Sequence, residues 1–247
     1  MSAGLDLSII GPAFLAGLLV LATHVPLGLQ VLSRGIVFID LAIAQIAALG
    51  VIAAGALGWE QQGFAVQVAA LAAALAGALL LTWTEKRWPQ IQEALIGTLF
   101  VLGATGATLL LASDPHGGEQ LKDLLVGQIL WVSNSQLAAN AAVAALVLAA
   151  WLAVARKAGS IAFYLLFAVA VTASVQLVGV YLVFASLIIP ALAVRGRRRP
   201  IAAGYALGAL GYALGLAASV ALDLPSGAVI VWALAALALA AALLRRA

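Results

Sequence analysis

Runs of about twenty uncharged, mostly apolar residues succeed one another along this chain, and a run of that length is what an α-helix needs to cross a hydrocarbon core. Cutting the sequence at its polar and charged clusters leaves about nine such runs, near 9–32, 38–58, 63–83, 93–112, 136–155, 160–177, 178–194, 201–221 and 227–244. Composition agrees: 66% of residues are hydrophobic and 9% charged, against about 25% charged in an ordinary soluble domain. The sequence predicts an all-α fold, a polytopic membrane helix bundle with about 8–9 spans, as one transmembrane domain over residues 1–247. Residues 160–194 carry no charge. As a single helix they would be about 50 Å long, well beyond a core of about 30 Å, so a broken pair of helices divided at Gly179 is expected.

The chemistry open to the chain is narrow. It has no cysteine, which excludes disulfides and thiolate metal sites and leaves Met1 as the one sulfur ligand, so any metal is met by nitrogen and oxygen. The sequence pI of about 9.6 does not point to nucleic acid. The basic residues fall in short clusters between apolar runs instead of lining one face. The first apolar run lacks a basic segment before it and is followed by others like it, so it reads as a mature span and not a signal peptide.

With the N-terminus outside, Arg34, Lys86, Arg87, Arg156, Lys157, Arg195, Arg197, Arg198, Arg199, Arg245 and Arg246 all fall on one side, and Lys122 alone falls opposite. That segregation is what the positive-inside rule requires of a cytoplasmic face. The opposite face carries Asp6, Glu60, Asp114, Glu119, Asp123 and Asp223, where negative charge favours an approaching cation or a basic partner; the alternative is ordinary solvated loop charge. Of these, Asp114, Glu119 and Asp123, together with His116, are the candidate outer contacts. They sit in residues 113–135, where the turn-forming run Asp114-Pro115-His116-Gly117-Gly118 precedes an apolar stretch to Trp131, the pattern of an interfacial helix. Such a helix caps the mouth of a pathway or simply fills space.

Ionisable groups inside spans are expensive and functional by default. Here they are His24, two residues before Pro26 in the first span, and Asp40, near the start of the second. Gln45 follows on the same helix, about 140° around from Asp40, so the two do not share a narrow face. Counting from the turn after Arg34, His24 and Gln45 lie at similar depth. His24, Asp40 and Gln45 are the candidate metal-pathway residues: imidazole suits zinc or iron, carboxylate suits harder ions such as manganese. The alternatives are an inter-helix hydrogen bond between His24 and Gln45 and a salt bridge from Asp40 to Arg34. Glycines at 97, 103 and 106, and at 204, 208, 211 and 215, recur at the spacing of close helix approach. Gly, Lys and Ser or Thr never meet in the order of a phosphate-binding loop, so any ATPase is a separate chain and this one is not itself an enzyme.

Four ordered stretches resemble the permease subunits of ABC importers for zinc, manganese and iron. Val25-Pro26-Leu27-Gly28 with Arg34, Phe38 through Asp40 and Gln45 through Gly50 is similar to that family's opening motif. Residues 123–130, Asp-Leu-Leu-Val-Gly-Gln-Ile-Leu, resemble its short helix after the fourth span. Gly179 through Val183, running into Leu187 through Ala191, resembles its seventh-span signature, and Asp223 through Gly227 the loop before its last span. In two places the chain departs from the pattern: Gln45 stands where the family has a metal-site histidine, and Arg156 through Ser160 is all that remains of the segment that docks on the ATPase.

The resemblance implies a single permease domain in the inner (plasma) membrane, embedded in the lipid bilayer and working as a homodimer. It implies a cytoplasmic ATPase subunit, an outer metal-binding protein as donor, a divalent metal ion as substrate and no cofactor bound by this chain. An ATP-independent channel or secondary carrier, or a non-transporting assembly subunit, is the competing expectation.

Overall fold

The computed structural model describes residues 7–60, 63–112, 114–154 and 160–244. Among them are ten α-helices: α1 (Leu7–Arg34), α2 (Ile39–Ala56), α3 (Phe64–Arg87), α4 (Gln92–Leu111), α5 (Gly117–Val126), α6 (Asn134–Val154), α7 (Ser160–Val178), α8 (Val180–Ala193), α9 (Pro200–Leu222) and α10 (Ser226–Leu243). Eight of these are long and apolar enough to cross a membrane, and α8 is a shorter apolar helix. The fold is therefore the expected all-α membrane bundle. Asp6, Arg156, Lys157, Arg245 and Arg246 lie outside the described residues.

Helices dominate because backbone groups in hydrocarbon have no water to bond and must bond one another. Where the chain leaves helix, a specific residue permits it. At Gly179 the backbone takes φ +81 and ψ 162, a region open essentially to glycine alone. Its N–H still closes the last turn of α7 on the Val175 carbonyl (2.8 Å), and its own carbonyl accepts from the Val183 N–H (3.1 Å). The expected break at Gly179 is thus a sharp reversal in which the one residue between the helices bonds to both. The turn after α5 is built the same way, with Gly127 at φ +70 and ψ 170.

The interfacial element expected in residues 113–135 is α5, followed by a single 3₁₀ turn, Ile129–Trp131, that contacts α1 and α10. Ile129 is buried while Trp131 is exposed, so the segment turns inward once and returns to the surface. Trp59 is exposed at that same end of the bundle, and Trp83 and Trp88 at the other, where their rings meet edge to face at 5.2 Å. Tryptophan at both ends is the pattern of an interfacial belt.

Lateral order comes from packing. α2 lies against α3 and α4, and α9 against α10 and α1, while α1 packs most closely on α8. α7 and α8 touch both α1 and α2 and so join the two groups. Small residues set the contacts. Gly204 and Gly208 of α9 face Val25 and Leu21 of α1, and Gly211 and Gly215 face Leu234 and Ile230 of α10. On α4, Gly103 and Gly106 meet Gln45 and Leu49 of α2, whereas Gly97 faces open space. Buried polar pairs add to this: Ser186 of α8 donates to the Leu182 carbonyl (2.7 Å), and its hydroxyl lies 2.8 Å from the Tyr212 hydroxyl of α9.

Glycine substitutions separate these roles. Gly179→Ala is expected to destabilise the protein by at least about 1–3 kcal/mol for the backbone conformation alone. Gly97→Ala, in a helix with room for the methyl group, is expected to be neutral or to stabilise by about 0.5–1 kcal/mol. Thermal unfolding of the two variants in one detergent checks both; equal melting temperatures would show that the break does not need glycine.

Candidate functional site

His24 is fully buried in α1. Its Nδ1 lies 3.0 Å from the Val20 carbonyl oxygen one turn earlier and 3.0 Å from the Thr23 hydroxyl, which itself donates to that carbonyl at 3.1 Å. A carbonyl accepts and cannot donate, so Nδ1 carries the proton and Nε2 keeps its lone pair. Nε2 is buried and has no partner among the described residues. A ring whose N–H is held by a backbone carbonyl and whose other nitrogen is free is the arrangement found in metal-ligating histidines. Pro26, inside the same helix, removes a backbone donor two residues later and loosens the ladder there.

Asp40 sits in the first turn of α2, 1% exposed, with neither carboxylate oxygen bonded to any described residue. The helix N-terminus stabilises negative charge at that position. The salt bridge to Arg34 is not made. Arg34 instead lies 3.7 Å from Glu85 of α3 and holds its guanidinium carbon 4.3 Å from the centre of the Phe163 ring of α7. Gln45 is buried on α2 against α4, since a Cβ on Gly103 would stand 3.1 Å from the Gln45 Cβ. Its Oε1 also lacks a partner.

No hydrogen bond joins any two of these three side chains among the described residues. α1 and α2 are joined through α7 and α8 instead of packing face to face, and no His24–Gln45 hydrogen bond forms among the described residues. No group of three or more His, Cys, Asp or Glu able to hold a metal ion occurs among the described residues. His24 belongs to the α1, α8, α9 side and Gln45 to the α2, α4 side.

At the α5 end, Asp114 accepts from the His116 N–H (2.8 Å) and from Gln120 Nε2 (3.2 Å), so it closes the turn that starts α5. His116, Glu119 and Asp123 remain exposed, with Glu119 and Asp123 one turn apart.

The opposite end holds a network that residue type alone did not flag as a unit. Glu93 of α4 accepts from the Phe38 N–H at the head of α2 (3.2 Å). Gln92 Nε2 donates to the Leu81 carbonyl of α3 (3.0 Å) and to the Tyr164 hydroxyl of α7 (3.3 Å). Glu85 Oε2, Glu93 Oε2 and Gln92 Oε1 are buried without partners. The signal available in the sequence was the pair of carboxylates, Glu85 and Glu93, flanking a turn that also carries Lys86 and Arg87.

The sequence matches the ABC 3 transport family over residues 6–163 and 153–245. The chain belongs to that family. No curated protein matches it. Among solved structures it is similar to PsaBC from Streptococcus pneumoniae in complex with a Fab, at 22% identity and a TM-score of 0.74, over 96% of this chain and 91% of that one. It is also similar to an inward-facing chain described as of the metal-chelate type of ABC transporter, at 16% identity and a TM-score of 0.70, over 89% and 80%. Membership in the ABC 3 family fits the absence of a phosphate-binding loop, and it makes this a multi-pass membrane protein.

The tautomer of His24 can be read directly. The chain has two histidines, so His116→Asn leaves one imidazole for nitrogen-15 spectroscopy in detergent. The expected spectrum shows Nδ1 protonated and Nε2 with a free lone pair, the latter moved by added zinc; a proton on Nε2 would remove His24 as a ready ligand.

Proposed function

We propose that this chain is the transmembrane permease subunit of an ATP-driven importer of a divalent metal ion, zinc, manganese or iron. The observation that carries this reading is the family match along nearly the whole chain, with the fold shared by a transporter of the metal-chelate type. In the proposed assembly two copies form a homodimer. An outer metal-binding protein delivers the ion, and a separate cytoplasmic ATPase subunit supplies the energy. The N-terminus lies outside, which puts Arg34, Lys86, Arg87 and Arg195 to Arg199 at the cytoplasmic surface of the inner membrane. Exposed His116, Glu119 and Asp123 then face the incoming ion or its carrier.

The chemistry of the interior supports a cation as substrate. His24 Nε2, both Asp40 oxygens and Gln45 Oε1 are all electron-pair donors, all buried and all without a hydrogen-bond donor. Buried polar atoms are ordinarily paired, and a passing cation pairs each of these in turn. Because His24 and Gln45 lie on different helix groups, they act as successive stations and not as one coordination sphere. An imidazole station favours zinc or iron, and an oxygen station at Asp40 or at Gln45 accepts manganese as well.

Uptake into vesicles holding the chain with its ATPase tests the proposal. ATP-dependent accumulation of one of the three ions is expected, reduced about tenfold or more by His24→Ala or Asp40→Ala, as for loss of one strong contact, with folded protein retained. Uptake of none of the ions, or uptake indifferent to ATP, would overturn it.

A further inference from the structure

The α5 end of the bundle contains a place where three chain segments meet with no side chain between them. A Cβ on Gly127 would overlap the carbonyl group of Val178, and a Cβ on Gly179 would overlap the amide nitrogen of Gly127. At the start of α10, a Cβ on Gly227 would stand 2.7 Å from the Val126 carbonyl oxygen. The end of α5, the α7–α8 reversal and the head of α10 are thus in backbone contact. Both Gly127 and Gly179 hold backbone angles that other residues avoid. Immediately after the crossing, Ile129 is buried and its turn touches α1 and α10.

We propose that this glycine crossing is a positioning device: α5 and the α7–α8 reversal move as one piece, so that a displacement of the outer helix is delivered to α8 and through it to the His24 segment of α1. Side-chain contacts absorb small shifts by changing rotamer, but two backbones in contact have no such reserve. Displacing one displaces the other or parts them. The onward link is equally direct. α8 meets α1 where a Cβ on Gly28 would overlap the Leu187 carbonyl oxygen, and Gly28 lies one helical turn after His24. The exposed edge of α5, with Glu119 and Asp123, is therefore connected to the buried imidazole through two backbone-to-backbone contacts. Packed elements of this kind switch between discrete arrangements instead of deforming gradually. The proposal rests on the importer reading only for the stimulus that drives the motion.

Amide hydrogen exchange of the wild-type chain in complex with its ATPase provides the test, because it reads local opening segment by segment. Amides of residues 125–130 and 177–182 are expected to open at rates within about twofold of each other and to shift together when an ATP analogue is added. Gly179→Ala is expected to raise exchange at residues 125–130 about tenfold, and Gly97→Ala to leave both segments unchanged. Exchange that changes in one segment and not the other, or in neither when the analogue binds, would overturn the coupling. Uptake that fails while the segments still open together removes the importer reading and keeps the crossing. Intact uptake with independent opening does the reverse.

Discussion

Every backbone N–H and C=O that enters the hydrocarbon must find its partner within the protein, and this requirement governs the structure from the spans to the site. It makes helices obligatory and interruptions conspicuous. α7 and α8 show how an interruption is accommodated: the Gly179 N–H still serves α7 and its carbonyl still serves α8. α8 can then be short. Fourteen residues reach about 21 Å, less than a crossing of about 30 Å, and the helix begins at a reversal buried within the bundle.

The same requirement gives weight to the buried atoms that lack partners. Leaving a polar group unpaired in the interior costs about 1–3 kcal/mol, and more for a charged one. The unpaired atoms among the described residues are acceptors almost throughout: Asp40, Gln45, Glu85, Gln92 and Glu93 oxygens, the Thr172 hydroxyl and His24 Nε2. On the proposed importer reading, a passing cation completes these lone pairs.

Much of this was legible in the sequence, because hydrophobic run length and charge segregation are one-dimensional properties. The spans, the break at Gly179, the interfacial helix after the fourth span and the close approach of α9 to its neighbours all follow from local composition. Neighbour relations do not. Depth placed His24 and Gln45 at one level, but adjacency in sequence did not pair α1 with α2 as closely as α1 with α8 or α2 with α3 and α4. Arg34 was near Asp40 in sequence, yet the carboxylate that reaches it belongs to Glu85, at the end of a helix that descends beside α7. Uniformly apolar helices carry no stripe that names a partner. The choice is made by where glycine lets backbones close, and that can be read only when both surfaces are known.

Splitting the candidate ligands between two helix groups has a mechanical consequence. If His24, Asp40 and Gln45 formed one preformed sphere, an ion would rest there and its escape would be slow. With His24 on the α1, α8, α9 side and Asp40 and Gln45 on the α2, α4 side, the candidates are spread over two packing groups. Passage between the groups then depends on α7 and α8, the elements that touch both. These are also the helices whose junction is crossed by Gly127. On the proposed importer reading, the segment that joins the two groups is the one that α5 meets backbone to backbone, which would put control of the path at the α7–α8 reversal.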